Sequence, residues 1–224
     1  LLLTTGALAE DPHSHPICGA THRNIGDHTG ACADVTWAAW NGVGDISYDE
    51  TSKTAYVYLS DEVTLDSTLE VKNGYTLYLC LNGHSITKTS DTSIFKGVIT
   101  IDDGATFTLC DCQGGGKITH GTKADGTKYT GRGVRCGGNS GGATFNMYSG
   151  EISGNHAGII EQSIGQDGAG VEMQRATFTM YGGKITDNKV QYTYNYGGGG
   201  VCLHDDASFT MYDGEISSNT SVED

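Results

Sequence analysis

The chain has 224 residues, enough for one sizeable domain or two small ones. Its formal net charge is -14, which repels nucleic acid on average and leaves no basic reading surface; acidic groups in such number keep a chain soluble or hold cations such as calcium. Gly is 34 of 224, about twice the usual share, and Pro is only 2, a balance that points to many short strands joined by tight turns.

The first residues, "LLLTTGALAE", are apolar and then small, with an A-x-A pattern at Ala7–Ala9 followed by Glu10 and Asp11. This reads as the tail of a secretory signal peptide cleaved after Ala9, and export follows from it. No later stretch approaches a membrane-spanning length. Next, "HSHPICGATHRNIGDHTGAC" packs His13, His15, Cys18, His22, His28 and Cys32 into twenty residues. Imidazole and thiolate suit zinc, and a subset of four would close a structural site in a segment too small for its own core. A Cys18–Cys32 disulfide with exposed histidines is the other reading for an exported chain. "VTWAAW" (Val35 to Trp40) follows, whose Trp37 and Trp40 either cap an open first unit or stack on sugars.

From about Val63 onward the chain repeats itself. "TFNMYSGEISGN" (Thr144 to Asn155), "TFTMYGGKITDN" (Thr177 to Asn188) and "SFTMYDGEISSN" (Ser208 to Asn219) are nearly one sentence, with Phe107 and Leu77 opening earlier copies. Each Phe is followed by an alternating run and then an Ile (Ile152, Ile185, Ile216); each copy is preceded by an apolar pair such as Ile99/Ile101, Val134/Cys136, Val171/Met173 or Val201/Leu203. Each unit thus holds about three short strands and cannot bury its own apolar face, whereas stacking on an identical neighbour can. Equivalent residues should then form files: Phe on Phe, Ile on Ile, Asn155 with Asn188 and Asn219, and Cys80, Cys110, Tyr148, Tyr181 and Tyr212. Cys80 and Cys110 could stack as thiols or bridge. Cys202, after inward Val201, should point outward as the unpaired member of the seven cysteines. "YGGGGV" (Tyr196 to Val201) lacks the Lys-Ser/Thr of a phosphate loop and reads as a corner of close backbone approach. Insertions at His120 to Gly133 and Lys189 to Gly200 leave one corner as loops. They carry Tyr129, Tyr192, Tyr194 and Tyr196, which serve either as contact residues or as packing over the repeat. The sequence therefore divides into a signal remnant (1–9), a His/Cys-rich segment and cap (10–45) and a repeat region (46–224), expected to continue past residue 224.

The "[ATS]-F-T-M-Y-x-G-x-I" repeat resembles the right-handed parallel β-helix of the pectate-lyase-like superfamily, especially its Gly-rich secreted and surface bacterial members. The resemblance covers roughly Val63 to Asn219 and implies an all-β, right-handed parallel β-helix behind a small His/Cys-rich segment. A β-propeller is the rival by unit length, though no fixed blade signature is present. The superfamily includes polysaccharide lyases and hydrolases with paired Asp residues, Gly-His-Gly and Arg-x-Lys. Here Asp102-Asp103 and Asp205-Asp206 recur at the same turn of two units, as turn residues do, and the other motifs are missing. His204, Asp205 and Asp206 remain the weak catalytic candidates. The expectation is a non-catalytic, adhesin-like secreted or cell-surface protein that contacts a polysaccharide or glycoprotein surface. A lyase or glycosidase with parts outside the sequence, and a passive spacer, are the alternatives.

Overall fold

The computed structural model describes residues 13–18, 33–93, 95–161, 164–165, 167–191 and 197–222, with backbone alone at 159–161 and 164–165. The described residues form strands and turns, and nearly all the strands pair in parallel. Three sheets carry the architecture. A phenylalanine sheet orders Ala38–Trp40, Thr54–Leu59, Thr76–Cys80, Thr106–Cys110, Ala143–Met147, Ala176–Met180 and Ser208–Met211 side by side. An isoleucine sheet runs from Val63–Leu65 through Ile86–Lys88, Lys117–His120, Glu151–Ser153 and Lys184–Thr186 to Glu215–Ser217. A valine sheet runs from Leu69–Val71 through Gly97–Ile101, Arg132–Gly137 and Val171–Gln174 to Val201–His204. The chain visits the three in turn and returns one strand further along, so each pass is one rung. This is compatible with a parallel β-helix or solenoid. It excludes the propeller, whose blades are sheets of antiparallel strands.

The register puts like on like. Leu77, Phe107, Phe145, Phe178 and Phe209 are successive partners, and so are Ile86, Ile118, Ile152, Ile185 and Ile216. In the valine sheet Leu69, Ile99, Val134, Val171 and Val201 align in the same way. Parallel strands lie about 4.8 Å apart, so facing rings must stack. Their centroids are 5.4, 4.5 and 4.7 Å apart from Phe107 to Phe209. The inward residues of the three sheets merge into one continuous apolar cluster.

The corner residue of the last three valine-sheet strands is a glycine by necessity. A Cβ on Gly170 would lie 2.4 Å from the Gly200 carbonyl oxygen and 2.8 Å from Ile185 Cγ2; Gly133 and Gly200 occupy the same place in their rungs. Near the end of the YGGGGV run, a Cβ on Gly200 would lie 2.9 Å from Asn219 Nδ2 and 3.1 Å from Ile216 Cγ2.

The asparagine file follows the isoleucine strands. Asn155 Nδ2 donates to Asn188 Oδ1 at 3.0 Å, and Asn188 Nδ2 to Asn219 Oδ1 at 2.9 Å. Each amide also donates back to a strand carbonyl, of Ile118, Ile152 and Ile185 in turn. His120 heads the file: its Nδ1 lies 2.8 Å from Asn155 Oδ1 and its Nε2 2.8 Å from Thr92 Oγ1. The amide oxygen can only accept, so Nδ1 carries the proton and Nε2 accepts from Thr92. On the outer face of the isoleucine sheet a different file alternates in charge: Lys117, Glu151, Lys184, Glu215.

Two details differ from the sequence expectation. Later rungs gain a fourth short strand, at His156–Ala157, Lys189–Gln191 and Thr220–Val222, in a sheet of its own. These runs are too short to show a period. The 120–133 insertion is also less open than a loop, because Thr122 and Lys128 form an antiparallel bridge.

Two stability predictions follow from the files. Phe145 is fully buried between two rings, so Phe145→Ala should lower unfolding free energy by about 3–5 kcal/mol. Phe209→Ala, at a half-buried site, should cost clearly less; urea denaturation compares them. Burial is the main reason that the His120 imidazole is held down at about 4, below its ordinary 6.5. The unfolded chain therefore takes up a proton, between about pH 6.5 and 4, that the folded chain refuses. Stability should be complete above that window and fall by up to about 3 kcal/mol as pH drops through it. His120→Asn, which keeps an amide in the file, should flatten the slope by about one proton in denaturation series at pH 7 and pH 4.5.

Candidate functional site

Three places in the described residues gather chemistry-bearing side chains. The first is a groove of about 580 Å³ at the start of the stack. The loop after Ala38–Trp40 runs beside the first strands of the isoleucine and valine sheets. Gly42 turns it with φ of 85°, where an added Cβ would lie 2.6 Å from Val63 Cγ1. Trp40, Tyr48 and Tyr75 form aromatic walls, with Asp45, Glu70 and Lys72 among the polar lining. Tyr48 and Tyr75 meet edge to face at 4.9 Å, and Trp40 Nε1 donates to the Gly44 carbonyl at 3.2 Å. Burial, with Tyr75 beside it, raises the Tyr48 phenol to about 12, so it stays a neutral donor. Trp40 is only 8% exposed and packs in the main core, while Trp37 is 3% exposed against the outer face of the phenylalanine sheet. Trp40 thus packs into the core of the first rung, as the capping alternative has it, whereas Trp37 packs on the outer face with the N-terminal strand pair. The groove itself was not apparent from sequence: Tyr75 joins Trp40 and Tyr48 only through strand pairing.

The second place lies on the outer face of the valine sheet. Arg132 is 3% exposed, and its Nε lies 2.9 Å from Glu172 Oε2 and donates to the Asp167 carbonyl at 2.7 Å. Arg135 Nε approaches the same carboxylate oxygen at 3.4 Å. His204 Nε2 is 3.7 Å from Glu172, 3.9 Å from Asp167 and 3.3 Å from Cys202 Sγ. Burial lowers the Arg132 pKa, with Glu172 opposing it, and raises those of Asp167 and Cys202. One imidazole nitrogen thus faces both carboxylates and the thiol, so the carboxylates do not orient the ring from its far side as a nucleophile–base pair requires.

The structure separates the three catalytic candidates. His204 joins this cluster, whereas Asp205 turns away to Arg175 at 3.1 Å and Gln174 at 3.2 Å. Asp205 has φ of 51° and Asp206 is exposed in the same turn. Asp103, in the equivalent pair, accepts from the backbone N–H groups of Ser140 and Gly141. Both pairs shape turns. Cys202 faces outward as expected but is buried, because the backbone near Gly168 covers it.

The third place is at the N-terminus. Ser14–Pro16 pairs antiparallel with Asp34–Thr36 across the outer face of the phenylalanine sheet. His13 and His15, two residues apart, meet two cysteines from the rungs: one ligand atom each of His13, His15, Cys80 and Cys112 lies within 4.8 Å of all the others. Cys18 is buried in the same patch, against Cys80 and Cys110. His22, His28 and Cys32 lie outside the described residues, and with them the Cys18–Cys32 disulfide. Cys80 and Cys110 are register partners and remain unbridged thiols. Hydrogen bonds from Cys110, then from His15 and Cys112, lower the Cys80 pKa against the opposing effect of burial, while burial raises those of Cys110 and Cys112. Sequence supplied the two histidines of this cluster. It could not supply Cys80 and Cys112, because a ligand set spanning such separations needs the sheet register first.

Of the loop tyrosines, Tyr129 is half-buried with Lys123 Nζ 5.3 Å from its ring centroid; Tyr192, Tyr194 and Tyr196 lie outside the described residues. Tyr148, Tyr181 and Tyr212 stack along the outer face at 4.6 and 5.4 Å. No helix among the described residues is long and apolar enough to cross a membrane. The chain matches no protein-family model, and neither a curated protein nor a solved structure matches it significantly.

The Arg132–Glu172 pair has a direct test. Glu172→Gln leaves a buried guanidinium without its counter-charge and should destabilise the fold by about 3–5 kcal/mol. Asp205→Asn, at a half-exposed pair, should cost less than about 1 kcal/mol in the same urea titration.

Proposed function

We propose that this chain is a secreted or cell-surface right-handed parallel β-helix of the pectate-lyase-like kind, adhesin-like and non-catalytic, that contacts glycans. The observation that carries the reading is the groove at the first rung. Its volume falls in the usual range for small-ligand sites, and it joins aromatic walls to a few polar groups. Sugars present both an apolar ring face and hydroxyls, and Tyr48 and Tyr75 beside Asp45, Glu70 and Lys72 match both. The stacked Tyr148, Tyr181 and Tyr212 edges add a row of phenols along the stack. The acidic surface directs the choice away from polyanions and toward neutral or weakly charged chains.

The test mixes the full chain with plant and mucin polysaccharides in the presence of calcium, and reads both retained polymer and newly released chain ends. Retention without release is expected. Tyr75→Ala and Lys72→Ala should each weaken retention by roughly 10-fold, about 1.4 kcal/mol. Released chain ends would overturn the non-catalytic reading and direct attention to His204 with Glu172 and Asp167. Retention unchanged in both groove variants would move the site to the tyrosine-bearing insertions.

A further inference from the structure

We infer that one zinc ion binds His13, His15, Cys80 and Cys112 and clasps the N-terminal hairpin to the outer face of the phenylalanine sheet. Two imidazoles and two thiols make a donor set suited to a closed, four-coordinate structural site. Zinc bonds of about 2.0–2.3 Å place tetrahedral ligand atoms about 3.3–3.8 Å apart. His13 Nε2 and Cys112 Sγ are already 3.7 Å apart, and the whole set fits within 4.8 Å.

A second, independent observation comes from His15. Its Nδ1 lies 2.7 Å from the Pro16 carbonyl oxygen, which can only accept, so Nδ1 carries the proton. That fixes the tautomer whose Nε2 bears a lone pair. This Nε2 is shut off from solvent with no well-formed hydrogen bond, and the side chain that faces it is Cys80, another of the four ligands; a metal between the two would satisfy both.

The supports of the four ligands come from separate parts of the chain. Trp37 fixes the histidine strand: its backbone N–H donates to the His13 carbonyl at 2.9 Å and its Nε1 to the His15 carbonyl at 3.1 Å. His13 stacks on Tyr58 at 4.0 Å and His15 on Trp37 at 4.6 Å. Cys80 ends its strand. Cys112 sits in a turn held by Asp111, whose carboxylate accepts from the backbone N–H groups of Gly83, Gly114 and Gly116. The hairpin has three residues per strand, and a pair that short is marginal by itself. Metal binding would expel any thiol proton on the two cysteines to solvent, including the one Cys112 now shares with Asn82 Oδ1.

None of the four ligands belongs to the main core cluster, so variants at the site should leave the rungs folded. The full chain, purified from zinc-supplemented cells without chelator, should carry one zinc per chain by elemental analysis. Cobalt in its place should give a thiolate charge-transfer band and the visible bands of tetrahedral coordination. Cys112→Ser and His15→Ala should each weaken zinc binding by more than about 100-fold, beyond what loss of a merely supporting partner costs. Circular dichroism should remain that of the folded chain, and Cys110→Ser and Cys202→Ser should keep the metal. Chelation should open the hairpin to protease while the rungs stay resistant. The proposal falls if zinc is absent from chains with free thiols, if Cys80 is found in a disulfide, or if Cys112→Ser and His15→Ala retain zinc at wild-type affinity.

Discussion

In-register parallel pairing is the constraint on which the rest depends. Strands about 4.8 Å apart bring each residue against its equivalent in the next rung, so a position must suit its own kind as a neighbour. Phe, Ile and Val meet that demand by packing, and Asn meets it by donating to the next Asn while accepting from the one before. Glycine meets it at Gly133, Gly170 and Gly200 by having no side chain to collide. The repeated sentence is therefore a consequence of the geometry.

The same constraint explains what could be read in advance. The Phe, Ile and Asn files and the apolar pair of the valine sheet all came from spacing alone, because a residue that must face itself recurs. What does not recur showed only its local part, such as the two histidines of the N-terminal segment. The groove unites Trp40 and Tyr48 with Tyr75, and the N-terminal cluster unites His13 and His15 with Cys80 and Cys112; each set is assembled from residues of different rungs and of the segment before them. The paired aspartates show the converse. Their recurrence at Asp103 and Asp205 marked them as turn residues, and the structure puts them on backbone N–H groups and on Arg175. His120 is instructive in the same way. It stands at the head of the asparagine file and donates a hydrogen bond from Nδ1 to the first amide oxygen.

The chemistry is concentrated where the stack meets something that is not a rung. The groove lies against the loop after Ala38–Trp40, and the histidine hairpin lies across the outer face beside it. The regular interior supplies rigid supports, since Cys80 ends, and Tyr75 immediately precedes, a strand whose inward residues are buried. Irregular segments supply the partners that face them. The buried Arg132–Glu172 pair follows this pattern too, with Asp167 contributed from outside the strands.

The alternating file Lys117, Glu151, Lys184, Glu215 solves a problem that the apolar files create. Phe against Phe is satisfied whichever rung lies next, so a chain that skips a rung while folding would still stack its rings. The charged file distinguishes neighbours from next-nearest neighbours: a skipped rung sets Lys against Lys or Glu against Glu. Each such encounter is worth only a few tenths of a kcal/mol at an exposed site, and its sign reverses. The outer face thereby carries a parity check on the order of assembly, written in residues that contribute little to the finished core.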